Sequence, residues 1–144
     1  MPSFCLRREL DMIDEWRRSF EKAMEAGVLR GIGVDIGAPY MIHGKNAEEL
    51  EIYVRYGVSE MAAIEVATRV NAEILGLEDR IGAVEAGKEA GLMVVKKDLL
   101  EDIEVLQEMN NIALVIKGGE IIMDRRVNGT SGWGYPLAKG PRGG

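Results

Sequence analysis

Histidine occurs once in these 144 residues, at His43, and cysteine once, at Cys5. A lone cysteine cannot close an internal disulfide, and a lone histidine cannot supply a metal centre built on several imidazoles. A basic surplus is missing too. The formal net charge is −6, and Lys and Arg are interleaved with Glu and Asp along helical stretches. That excludes the concentrated basic face that nucleic acid demands. The longest apolar runs, such as "IALVI", fall far short of a bilayer span. "VEAGKEAG" is glycine-rich but lacks the spacing and the Ser/Thr of a phosphate loop, so nucleotide binding is not expected. No internal repeat is visible, and the N-terminus carries no signal-like apolar region. The expectation is a cytoplasmic protein with neither nucleic acid nor membrane as partner.

What is present is enough for one core. Hydrophobic residues make up 47% of the chain and are spread along it, as in a globular domain. From Leu6 to Ala26 the pattern is helical: Ile13, Trp16, Phe20 and Met24 recur at three- and four-residue spacing, with charges between them. The apolar side of that helix is expected to pack on a sheet. Gly27 is a natural stop. "VLRGIGV" then reads as a buried strand, and helix, glycine, strand is the unit of an α/β fold. Asn46 is placed to cap a helix from Ala47 to Tyr56, and Ser59 to open a second that ends at Gly76. Beyond it come a strand before Lys96, a short helix over "LLEDIEVLQEM", and a hairpin turning at Gly118-Gly119. The tail, residues 127–144, with six glycines and two prolines, is expected to be flexible.

One stretch carries the chemistry. "RGIGVDIGAP", Arg30 to Pro39, ends a strand-like run in a carboxylate, Asp35, between Gly33 and Gly37. In α/β barrels catalytic groups sit at the C-terminal ends of strands. A carboxylate there can contact a metal or take a proton, whereas an Asp-x-Gly sequence can equally do no more than start a turn. On spacing alone both readings stand.

Three segments tip the balance. "EKAMEAGVLRGIGVDIGAP", "HGKNAEELEIYVRYGVSEMAAIEVATRVNAEILGLEDRIGAVEAGKEAGLMVV" and "DLLEDIEVLQEMNNIALVIKGGEII" together resemble the C-terminal part of a metal-dependent amidohydrolase. The similarity is to the branch of imidazolonepropionase-like enzymes and amidohydrolase-type Xaa-Pro dipeptidases, and it runs in register from Trp16 to Ile122. The resemblance implies the C-terminal portion of a (β/α)8 TIM barrel plus part of a β-sandwich. Residues 1–77 would hold the last barrel strand and its flanking helices, 78–126 the C-terminal part of the sandwich, and 127–144 the tail. It implies one or two divalent metals, zinc above all, in the complete enzyme, and a cyclic amide or dipeptide as substrate. Asp35 matches the family's last-strand aspartate, which contacts the metal and accepts a proton from the attacking hydroxide. His43-Gly44 matches a frequent "HG" in the following loop, a substrate-side position for His43. Val34 replaces the usual Thr or Ser, Gly91 stands where Asp is common, and Leu99 replaces a common Pro.

The histidine count limits what this polypeptide can do. A binuclear site of this type needs several imidazoles, and no HxH pair occurs. A full barrel takes about 250 residues. The expectation is therefore a segment, inactive and without bound metal alone, that needs an N-terminal barrel segment as partner; a homo-oligomer is left open. The rival expectation is a non-catalytic remnant that serves as a small folding or assembly module.

Overall fold

The computed structural model describes residues 3–34 and 44–126, with side chains of the first helix from residue 12 onward. Helices and strands are both present. Helix α1 runs Ser3–Glu25, and the Val28 N–H closes onto the Ala23 carbonyl at 3.1 Å just past its end. Its apolar stripe is not packed on a sheet. Trp16 is 59% exposed, and Met12, Ile13 and Met24 are exposed beside it. Phe20 alone on that stripe is anchored, edge-on to Tyr53 at 5.0 Å and to Tyr56 at 5.3 Å, with the Arg30 guanidinium 5.0 Å over its ring. Rings that meet edge to face gain quadrupole attraction beyond their buried area.

The segment 28–34 differs from the buried strand expected of it. Among the described residues it has no ladder partner, and Val28 and Leu29 are exposed. Apolar, β-branched residues favour extended chain, but only a neighbouring backbone turns extended chain into a strand. Here a side chain, that of Asn71, takes the place of that backbone.

Helix α2, Glu48–Arg55, starts on Ala47 without a side-chain cap. Asn46 therefore does not act as the expected cap; its carbonyl accepts the Glu49 N–H instead. Three acidic residues in the first turn, Glu48, Glu49 and Glu51, complement the helix dipole in place of a cap. The second helical run opens where expected, with the Ser59 hydroxyl accepting the Ala62 N–H at 3.3 Å. It consists of α3, Glu60–Glu65, one wide π-type stretch, Val66–Val70, and α4, Asn71–Ile74. The Thr68 hydroxyl, bonded back to the Ile64 carbonyl at 2.7 Å, sits inside that wide stretch.

Three strands come next, β1 (Leu92–Val95), β2 (Ile112–Lys117) and β3 (Glu120–Asp124), in an antiparallel sheet of order β1-β2-β3. Gly118 and Gly119, both at positive φ (58° and 84°), make the two-residue turn of the β2–β3 hairpin. Paired left-handed positions are what the twist of such a hairpin requires. The helix expected over 99–109 is tighter and shorter: two 3-10 turns, Ile103–Gln107 and Met109–Asn111. Asp98 and Asp102 cause this. Each carboxylate accepts the N–H two residues on, from Leu100 at 2.8 Å and Glu104 at 3.0 Å, a local bond that competes with helix propagation.

The main core joins Leu50 and Tyr53 of α2, Val58, Ala63 of α3, and Ile103 and Leu106 of the first 3-10 turn. Ile112, Ala113 and Leu114 at the start of β2 are also buried, whereas Ile121 and Ile122 of β3 are exposed. No helix among the described residues is long and apolar enough to cross a membrane.

Candidate functional site

The best-defined geometry lies where the segment Arg30–Val34 crosses the helix run 60–74. The Asn71 carboxamide grips Ile32 at both backbone groups. Its Oδ1 accepts the Ile32 N–H at 3.0 Å, and its Nδ2 donates to the Ile32 carbonyl at 2.9 Å. One residue aims its own N–H and C=O to the same side only when extended, as in the paired residues of an antiparallel ladder. Asn71 thus substitutes for a neighbouring strand at this point. One residue earlier, the Tyr53 hydroxyl donates to the Gly31 carbonyl at 2.9 Å.

Gly31 is what lets the backbone come this close. A Cβ there would lie 2.3 Å from Asn71 Oδ1 and 3.0 Å from Ile74 Cδ1, so any side chain would drive the carboxamide off Ile32. Its value here is close approach, not unusual backbone angles.

Beside this crossing lies a cavity of about 540 Å³, lined mainly by apolar side chains. Ile32, Val34, Leu50, Asn71 and Leu106 contribute to its wall, as does Gly44. Asp35 and His43, the two site residues expected from the sequence, lie outside the described residues. Their chain neighbours Val34 and Gly44 both line this cavity, so the described chain enters and leaves that segment at one place.

Electrostatics near the crossing come chiefly from Tyr53 and Glu49. Burial raises the Tyr53 hydroxyl above its ordinary 10.0, with Arg30 pulling it down and Glu49 pushing it up to lesser degrees. Burial also raises the Glu49 carboxyl. The Tyr53 shift sets an alkaline limit. A phenol with a raised folded value contributes stability that is complete below pH 10 and is lost as pH climbs through that value, because the unfolded chain releases its proton first. Tyr53→Phe should cost about 1 kcal/mol at neutral pH through the lost Gly31 bond. It should also remove the part of the alkaline destabilisation that begins near pH 10. Urea titrations of both proteins at neutral and alkaline pH read both effects.

Among the described residues no three His, Cys, Asp or Glu side chains converge on a point that could hold a metal ion. With one histidine and one cysteine in the whole sequence, the donor set does not fit a zinc centre. Sequence reasoning missed the Asn71 crossing and the cavity. One signal was available: an asparagine inside an apolar helical run, "ATRVNAEIL", is a poor helix former whose amide usually has a partner.

Comparisons with known proteins agree over most of the chain. The family model described as "Amidohydrolase family" matches residues 5–122. Ochratoxinase of Aspergillus niger is 32% identical over 112 residues, which cover 76% of this chain and 22% of that enzyme. Imidazolonepropionase of Phocaeicola vulgatus is 38% identical over 71 residues, 49% of this chain and 17% of the other. A solved Xaa-Pro dipeptidase with methionine bound in its active site superposes with a TM-score of 0.66 at 40% identity, covering 73% of this chain and 25% of the dipeptidase. The chain spans about a quarter or less of the length of each of these relatives.

Proposed function

This chain belongs to the amidohydrolase family, and from that premise we propose that it is the C-terminal segment of an enzyme that hydrolyses C–N bonds in a cyclic amide or a dipeptide. In this reading residues 1–77 are the last strand and flanking helices of a (β/α)8 barrel. Residues 78–126 belong to a β-sandwich, and 127–144 form a tail. Asp35 is the catalytic carboxylate, at the end of the segment that Asn71 and Tyr53 hold, and His43 contacts the substrate. The observation that carries the reading is the match of residues 5–122 to the amidohydrolase family, supported by the likeness to a solved Xaa-Pro dipeptidase at 40% identity.

The family is generally metal-dependent. This chain's own donors do not fit a metal centre, as its single histidine requires, so the imidazoles are assigned to a separate part of the enzyme. What the chain supplies is the carboxylate: it takes a proton from the attacking nucleophile and returns it to the leaving amine. The exposed apolar side chains of α1 (Met12, Ile13, Trp16, Met24) and of β3 (Ile121, Ile122) suit this arrangement, since each is free to pack against more protein.

Assembly with a histidine-bearing N-terminal barrel segment tests the reading. The combined protein is expected to hydrolyse Xaa-Pro dipeptides or a cyclic amide, and the chain alone to be inactive. A combined protein that is folded yet inert toward both substrate classes would favour the second reading, a non-catalytic module, which the histidine count independently supports.

A further inference from the structure

We infer that residues 96–111, the connection between β1 and β2, are a joint that locks the three-stranded sheet to the helices, so that the two unfold as one unit. Antiparallel neighbours can be joined by about two to five residues, and β2 and β3 are joined by Gly118 and Gly119 alone. The β1–β2 connection is far longer than that. It leaves and returns at one place, where the Lys96 N–H donates to the Asn111 carbonyl at 2.9 Å. Between those points it does not keep to the surface, as connecting segments usually do. Ile103 and Leu106, 4% and 9% exposed, sit in one cluster with Leu50 and Tyr53 of α2, Val58, and Ala63 of α3. The cluster also reaches the sheet directly, because Val95, the last residue of β1, packs against it.

A polar bond crosses the same junction. Gln107 Nε2 donates to Glu51 Oε2 of α2 at 2.7 Å, and the other oxygen of that carboxylate pairs with Arg55. Within the connection, Asn111 Nδ2 donates to the Val105 carbonyl at 3.1 Å and ties the second 3-10 turn back to the first. A second fastening lies outside it. Gly82, at φ +93°, runs so close to the helical run that a Cβ there would lie 2.7 Å from that of Ala72. Parts that meet through a few polar contacts can hinge, whereas parts that share one apolar cluster separate only by exposing it. The cavity has walls from both: Leu50, Ala67 and Asn71 from the helices, and Met93, Leu106 and Ile112 from β1, the joint and β2. The joint therefore sets the spacing across it. The connection lies in the stretch proposed for the β-sandwich yet is built into the helical core, which places it at the seam between the two. None of this depends on the reaction or on a partner segment, so the joint can fail its test while the proposed function stands.

The test follows urea unfolding of the full chain by pulsed amide exchange and mass spectrometry, read separately in peptides of α2 (48–55) and of the β2–β3 hairpin (112–124). Wild type should give one urea midpoint for both segments, the mark of a single cooperative unit. Leu106→Ala should lower the two midpoints together and cut protection in both by the same factor, about thirtyfold or more. Leu114→Ala is the stricter variant. Leu114 is buried in β2 and lies outside the helical cluster, yet its truncation should lower the α2 midpoint as much as the hairpin's. Separate midpoints in wild type, or a Leu114→Ala variant that lowers the hairpin midpoint alone, overturn the inference. Absence of protection in both segments of wild type overturns it as well. If Leu106→Ala does not fold, Leu106→Val carries the same comparison, and unequal shifts in it count against the joint.

Discussion

Asp35→Asn is expected to lower kcat of the assembled enzyme by about 10²- to 10⁴-fold, the usual contribution of a positioned acid–base group, while the fold survives. The carboxamide is nearly the same size as the carboxylate and keeps its hydrogen-bonding oxygen, so packing hardly changes. What it cannot do is accept a proton at neutral pH. Circular dichroism and urea midpoints should match wild type as turnover collapses. Wild-type turnover would mean that the residue starts a turn and nothing more, the other reading its sequence allows. The same substitution in the chain alone should change no activity, because the chain alone should have none.

Ile103→Ala should have the largest effect on stability, a loss of about 2–5 kcal/mol. Ile103 is 4% exposed and packs in one cluster with Leu50, Tyr53, Val58, Ala63 and Leu106. Removing three carbons there forfeits the free energy of burying them and leaves a void that neighbours fill poorly. The effect reaches across the sequence, because Ile103 lies far along the chain from the helices it supports. Ile121→Ala is the control: at 59% exposure it should fall within about 0.5 kcal/mol of wild type. Urea denaturation of the two variants side by side settles the difference. Equal losses would mean that the cluster at Ile103 is not the core.

Local pattern made much of this fold readable, and partnership made the rest unreadable. The α1 spacing, the Ser59 cap and the Gly118-Gly119 turn are each written in a few adjacent residues, so each could be read without the rest of the molecule. The 99–109 stretch failed because Asp98 and Asp102 satisfy backbone groups themselves, a competition that periodicity does not register. The segment 28–34 failed for a longer-range reason. Its composition favours a strand, but a strand is a relation between two backbones, and here Asn71, 39 positions from Ile32, takes the partner's role. Exposure of Trp16 belongs to the same class: the sequence marks an apolar face without saying what covers it. For the candidate site, Asp35 and His43 are expectations of the family resemblance that lie outside the described residues, whereas the grip of Asn71 on Ile32 became visible only when the helix and the segment 30–34 were brought together in space.

Metal content measured on the chain alone, and again after assembly with the histidine-bearing segment, tests the central claim most directly. The prediction is zinc well below one equivalent in the isolated chain, and stoichiometric metal with amide hydrolysis appearing together on assembly. Tight stoichiometric zinc in the isolated chain would contradict it, because these residues would then hold by themselves an ion that their single imidazole should not retain.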